Sequence, residues 1–167
     1  MRKLSRLGSF SLVIVTLACG LVTSEAAPGS ALNPARQEPR VETYVPRGAP
    51  LTFGHASFRK EGGRNMLNYS FTTSAKRGLD TVQLVALFLD ASGEVKGGQG
   101  WTVNMGGTSG AGAKGSIELK ARLEPTDYVL LTVRKADGGS INFTKAPADT
   151  LKEYRRSKGV AAPRAMP

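Results

Sequence analysis

Few residues in this chain can do bond chemistry, and their spacing limits what that chemistry could be. The single histidine, His55, is by type a general base or a metal ligand. A zinc-type site needs a set of N, O or S donors, and the acid nearest to His55 in sequence is Glu61. A strand or bulge histidine with a hydrogen-bonded ring is the better reading. Asp90 and Glu94 are close enough in sequence to flank a calcium ion. Calcium wants a cage of oxygens, however, and Asp90 reads better as the start of a turn. The run Gly107-Thr108-Ser109-Gly110-Ala111-Gly112-Ala113-Lys114 has the composition of a phosphate-binding loop. Its lysine is displaced by one residue, no Ser or Thr follows it directly, and it leads from strand to strand rather than into a helix N-terminus. It is expected to be a flexible connection between sheets. The acids fall mostly in turns or on outward strand positions, which gives paired-carboxylate hydrolysis no support. No catalytic residue, cofactor or metal site is assigned, and the chain is expected not to be an enzyme.

The only cysteine, Cys19, sits in an N-terminal stretch that specifies a compartment. Arg2, Lys3 and Arg6 form a basic region, Leu7 to Ala18 an apolar run too short to span a bilayer, and Ser24-Glu25-Ala26 a small-residue processing site. Residues 1–26 therefore read as a signal peptide, and the chain as exported, periplasmic or secreted, from a bacterium. Thr16-Leu17-Ala18-Cys19-Gly20 is similar to the bacterial lipobox, departing from it at Thr16 and Leu17. Lipidation of Cys19, giving a membrane-anchored lipoprotein, is the alternative to general secretion. Either fate removes or blocks the one thiol, so no disulfide can support the fold and the core must hold it unaided. Asn68-Tyr69-Ser70 and Asn142-Phe143-Thr144 are glycosylation sequons, incidental in a bacterium.

The chain carries 23 Lys and Arg against 13 Asp and Glu, a formal net charge of +10. Loss of residues 1–26 would remove three cations and Glu25 and leave a large excess. Arg59, Lys60 and Arg64 flank an expected hairpin, Lys76 and Arg77 sit in the next loop, and Arg155 and Arg156 lie in a basic tail with Lys152 and Lys158. Arg59, Lys60, Arg64, Lys76, Arg77, Arg155 and Arg156 are candidate contacts to an anionic envelope surface, lipid or acidic glycan. Ordinary solubility charge is the competing reading. Nucleic acid is a poor partner for an exported chain without a platform of exposed aromatics.

The elements that must position these residues are β throughout. Residues 27–50 hold five prolines and little apolar periodicity, and are expected to be a disordered spacer. Between 51 and 146 the patterning predicts seven strands: A (51–58), B (67–71), C (82–89), C′ (101–105), E (117–123), F (128–133) and G (141–143). C and F are apolar on nearly every position and should be central. Gly54-His55 predicts a bulge, Gly62-Gly63 a tight hairpin, and Asp90 to Gly93 a turn closed by glycine. Tight A–B, C–C′ and F–G hairpins with longer crossings elsewhere predict an all-β, immunoglobulin-like sandwich of sheets A-B-E and C′-C-F-G. Residues 147–167 form the basic tail. There Thr150 as N-cap and Glu153 at N3 predict a short, marginal helix through Arg156, with Tyr154, Arg155 and Arg156 docking a partner or covering an edge.

Leu123-Glu124-Pro125-Thr126-Asp127-Tyr128-Val129-Leu130 resembles the start of strand F in such domains, where a tyrosine hydroxyl ties back to upstream backbone. Leu87 to Val95 resembles the strand-turn-strand segment of small bacterial exported sandwiches of the FxLYD type. The resemblance covers most of residues 50–146. It implies an extracytoplasmic module that binds or spaces an envelope protein, and it carries no active site with it.

Overall fold

The computed structural model describes residues 38–159. The expected signal peptide, Cys19, the first part of the spacer and the end of the tail lie outside them. Eight strands and one helix follow in order: β1 (Arg40–Tyr44), β2 (Leu51–Glu61), β3 (Arg64–Thr73), β4 (Thr81–Leu89), β5 (Val95–Asn104), β6 (Gly112–Leu119), β7 (Tyr128–Gly138), β8 (Ile141–Thr144) and α1 (Pro147–Ser157).

They form two sheets in a sandwich-like arrangement. The smaller runs β2-β3-β6 and the larger β1-β7-β4-β5, with β8 also on β7. Alternation along each strand sends one set of side chains into the space between the sheets. Leu51, Phe58, Leu67, Phe71 and Leu119 from the smaller sheet meet Leu84, Ala86, Phe88, Val129, Leu131 and Val133 from the larger. Trp101 of β5 packs its ring 5.4 Å from that of Tyr69. The bulge falls where the Gly54-His55 pair predicts it, between Phe53 and His55.

The strand C′ expected at 101–105 is β5, which begins at Val95 and ends at Asn104, and four further features differ from the sequence reading, each for a physical reason. First, residues 40–44, expected within the spacer, are a strand: β1 pairs in parallel with β7 from Arg40↔Tyr128 to Tyr44↔Thr132. β4 occupies one side of β7 along nearly its whole length, and β1 and β8 lie end to end along the other. The strand count is therefore eight rather than seven.

Second, β6 spans Gly112–Leu119 rather than 117–123, because β3 offers it backbone partners only from Asn65 to Thr72. Glycine spacing hides this strand in the sequence, yet Gly115 fits there because the Tyr69 ring lies over it: a Cβ would sit 2.7 Å from the phenolic oxygen.

Third, α1 begins at Pro147 with Ala146 as its N-cap, so Thr150 and Glu153 are interior positions and no capping box forms. Thr150 faces inward and is fully buried. Glu153 is drawn instead to Lys145 and the Arg47 backbone N–H.

Fourth, α1 covers a sheet face, not an edge. Leu151 and Tyr154 pack on Val85, Leu87, Leu89 and Leu130, the outward residues of β4 and β7. This third layer explains why those two strands are apolar on both faces. Each large apolar side chain buried this way contributes about 1.5–3 kcal/mol.

Candidate functional site

The two ends of the sandwich are built differently. At the end where β3 finishes and β4 begins, three loops pack backbone on backbone. The Asp80 N–H donates to the Asp137 carbonyl at 2.8 Å, Met105 N–H to Asp80 at 2.8 Å and Gly107 N–H to Leu79 at 2.9 Å. Leu79 beneath them is fully buried. Gly78 is obligatory here, since any Cβ would collide with the Gly107 carbonyl. The glycine-rich run after β5 is part of this seal: the Ser109 hydroxyl donates to the Lys76 carbonyl at 2.7 Å.

The opposite end, carrying the β2–β3 hairpin, is open. Two clefts flank the β6–β7 loop (residues 120–127) and share Glu38 and Pro125 in their walls. The first, about 910 Å³, lies between that loop, the β4–β5 turn and the C-terminal end of α1. Its charges are mostly committed to one another. Glu42, on β1, accepts from the Tyr154 hydroxyl at 2.8 Å and pairs with Arg40 at 3.0 Å and Lys158 at 2.9 Å. Burial would raise the Glu42 carboxyl, but these donors outweigh it and hold it below the usual glutamate range. Burial, then the bond to Glu42, pushes the Tyr154 phenol well above its ordinary value. Arg155 donates to the Gly93 carbonyl at 2.6 Å, fastening the helix to the β4–β5 turn.

The second cleft, about 840 Å³, opens between the hairpin and the other side of the β6–β7 loop. Phe58 and Leu119 lie beneath it, half-buried Ala121 and Leu123 line it, and Lys60, Arg64, Lys120 and Arg122 stand around its rim. Arg64 meets Glu118 at 3.8 Å and Arg122 meets Glu124 at 3.7 Å, both loose and exposed. The loop between the clefts is held from within. Buried Asp127 accepts from the Glu124 N–H at 2.8 Å and from the Lys96 ammonium at 2.8 Å. Burial opposes the Asp127 charge, but those two donors prevail and keep its carboxyl below the ordinary aspartate range. Asn65 donates to the Ala121 carbonyl at 2.9 Å. Gln99 of β5 reaches the neighbouring sheet edge, donating to the Glu118 carbonyl at 2.8 Å and accepting from the Lys120 N–H at 2.9 Å. No tyrosine corner forms among the described residues. Tyr128 turns toward Gly93, and Asp127 does the work of closing the turn.

The cations singled out by sequence are thus divided. Lys60 and Arg64 meet at the second cleft. Arg59 is exposed beside them and pairs with Glu61 at 2.9 Å. Lys76 and Arg77 lie at the sealed end, the length of β3 away, about 30 Å. Arg155 is half-buried against Gly93, and Arg156 is exposed. The residues sequence reasoning passed over are Lys120 and Arg122. Their signal was present: they continue the outward positions of Glu118, which antiparallel pairing with β3 brings beside the hairpin.

His55 is exposed, its Nε2 3.0 Å from the Ser57 hydroxyl. Asp90 accepts from the Ser92 and Glu94 N–H groups at 2.9 and 3.0 Å, organising its turn. Among the described residues, no group of three or more His, Cys, Asp or Glu could hold a metal ion, and no helix is long and apolar enough to cross a membrane. Comparisons with protein-family models, curated proteins and solved structures find no match to the chain.

Proposed function

We propose that this chain is an exported, non-enzymatic, immunoglobulin-like β-sandwich that binds or spaces a protein partner at the bacterial cell envelope. The observation that carries the reading is the asymmetry of the two ends: one is sealed by interlocked backbone, the other presents two open clefts around a braced loop. Binding sites on sandwiches sit on loops positioned by a rigid scaffold. The immunoglobulin-like assignment draws support from the A-B-E and C′-C-F-G grouping of β2, β3, β6 and β5, β4, β7, β8, to which β1 and α1 are additions. Export rests on residues 1–26. The test is crosslinking of the full chain in the envelope of its own cells, comparing the natural sequence with Lys60→Glu/Arg122→Glu and Lys76→Glu/Arg77→Glu. A specific protein adduct lost only in the first variant supports the reading; equal adducts in all three overturn it.

A second reading, a basic envelope protein on anionic glycan or lipid, draws on the net charge of +10. The division of the exposed cations between two ends weakens it. Salt-sensitive retention on phosphatidylglycerol vesicles, lost equally by both variants, is the result that would favour it.

A further inference from the structure

We propose that the cleft between the β2–β3 hairpin and the β6–β7 loop takes an extended segment of a protein partner bearing an apolar side chain flanked by carboxylates. This rests on the protein-binding reading above and assigns its site and the chemistry of its ligand. The centre of the cleft is apolar, with Leu123 and Ala121 half-buried at the surface and Phe58 and Leu119 below. The rim is a ring of charge in which cations outnumber carboxylates: Lys60, Arg64, Lys120 and Arg122 against Glu38, Glu118 and Glu124. Among the described residues the Lys60 and Lys120 ammonium groups have no ion-pair or hydrogen-bond partner. The two arginine pairs are long enough to yield to a better acceptor. Carboxylates on either side of an apolar anchor would meet these four cations.

The three rim carboxylates decide between kinds of partner. A membrane presents an unbroken anionic plane and would be repelled by all three. A polypeptide brings its own N–H donors to satisfy them. The mode of contact also follows. The outward backbone groups of Glu118 and Lys120, where a strand would otherwise add to the sheet, are already taken by the Gln99 side chain. The partner is therefore gripped by side chains in the cleft rather than by extension of the β6 edge. The bond donated by Asn65 and the one accepted by Asp127 fix the loop beforehand, so little ordering cost falls on binding.

The probe is a displayed library of random heptapeptides selected on the full chain. Enrichment of sequences with a central Leu, Ile, Phe or Val flanked by Asp or Glu is expected. Their affinity should fall roughly tenfold or more in Lys60→Glu/Lys120→Glu and in Leu123→Ser, and stay unchanged in Lys76→Glu/Arg77→Glu. Melting curves on each variant confirm folding, and a variant that fails to fold is replaced by Lys60→Gln/Lys120→Gln. Enriched peptides whose affinity ignores the rim substitutions would overturn this site and leave the protein-binding reading standing. No enrichment would overturn both. Binding to phosphatidylglycerol vesicles that depends on Lys60 and Lys120, without peptide enrichment, would replace the peptide with a membrane.

Discussion

Asp127 shows how one side chain sets the shape of the open end. Its carboxylate is 3 % exposed and holds the loop backbone on one side and Lys96 on the other. Asp127→Ala would leave the Glu124 N–H without its acceptor and is expected to cost about 1–3 kcal/mol, read as a lower melting temperature. Asp127, Glu42, Asp90 and Glu153 are all held below their ordinary carboxylate range. Each therefore adds stability at neutral pH that is lost as pH falls through its native value. The melting temperature should drop steadily below about pH 4, and Asp127→Asn should flatten that slope. Tyr154 and Tyr128 shift the other way through burial, so stability should also decline above about pH 10. Thr132 and Thr150 give the opposite kind of test. Both are buried, and neither hydroxyl has a hydrogen-bond partner among the described residues. Replacing either with Val keeps the shape and removes an unpaired polar group, so stability should rise by roughly 1 kcal/mol, measured by urea denaturation.

Among the elements, α1, β1 and the bounds of the glycine-containing strands β5 and β6 are where sequence reading fell short. The strands at β2, β3, β4, β7 and β8 are legible because their alternation or continuous apolar runs are local signals. β1 has only Val41 and Tyr44 to show, amid prolines, and is a strand because β7 has a free side to offer it. The helix is legible in kind, but its start is not. Ala146 and Pro147 serve where Thr150 and Glu153 advertise a box, because Leu151 and Tyr154 must face the sheet. Of the second cleft, the hairpin cations could be read directly. Lys120 and Arg122 required knowing which strand lies next to β3. Leu151→Ala should cost about 2–5 kcal/mol, and ending the chain at Ala146 should expose Val85, Leu87, Leu89 and Leu130. The shortened chain is expected to bind a hydrophobic dye and to associate more strongly than the full chain. Gly78→Ala should be at least as damaging as Leu151→Ala, since a backbone carbonyl rather than a flexible side chain stands in the way.

For the molecule as a whole, the parallel pairing of β1 with β7 governs when folding can finish. β1 comes first among the described strands, yet its partner is the second to last, and the helix that fastens β1 through Glu42 comes later still. Contacts between distant parts of a chain form late and slowly, because the intervening loop must first be closed. A chain emerging from the ribosome, or threaded through a translocation channel, cannot complete its larger sheet until β7 is free, nor cover that sheet until α1 follows. The native state is thereby deferred until nearly the whole sequence is available, a delay that would suit the export in an unfolded state proposed above. Moving residues 38–44 to the C-terminus, behind a flexible linker long enough to reach β7, should shorten that wait. Refolding of such a permuted chain from urea should be faster than that of the natural order at equal stability.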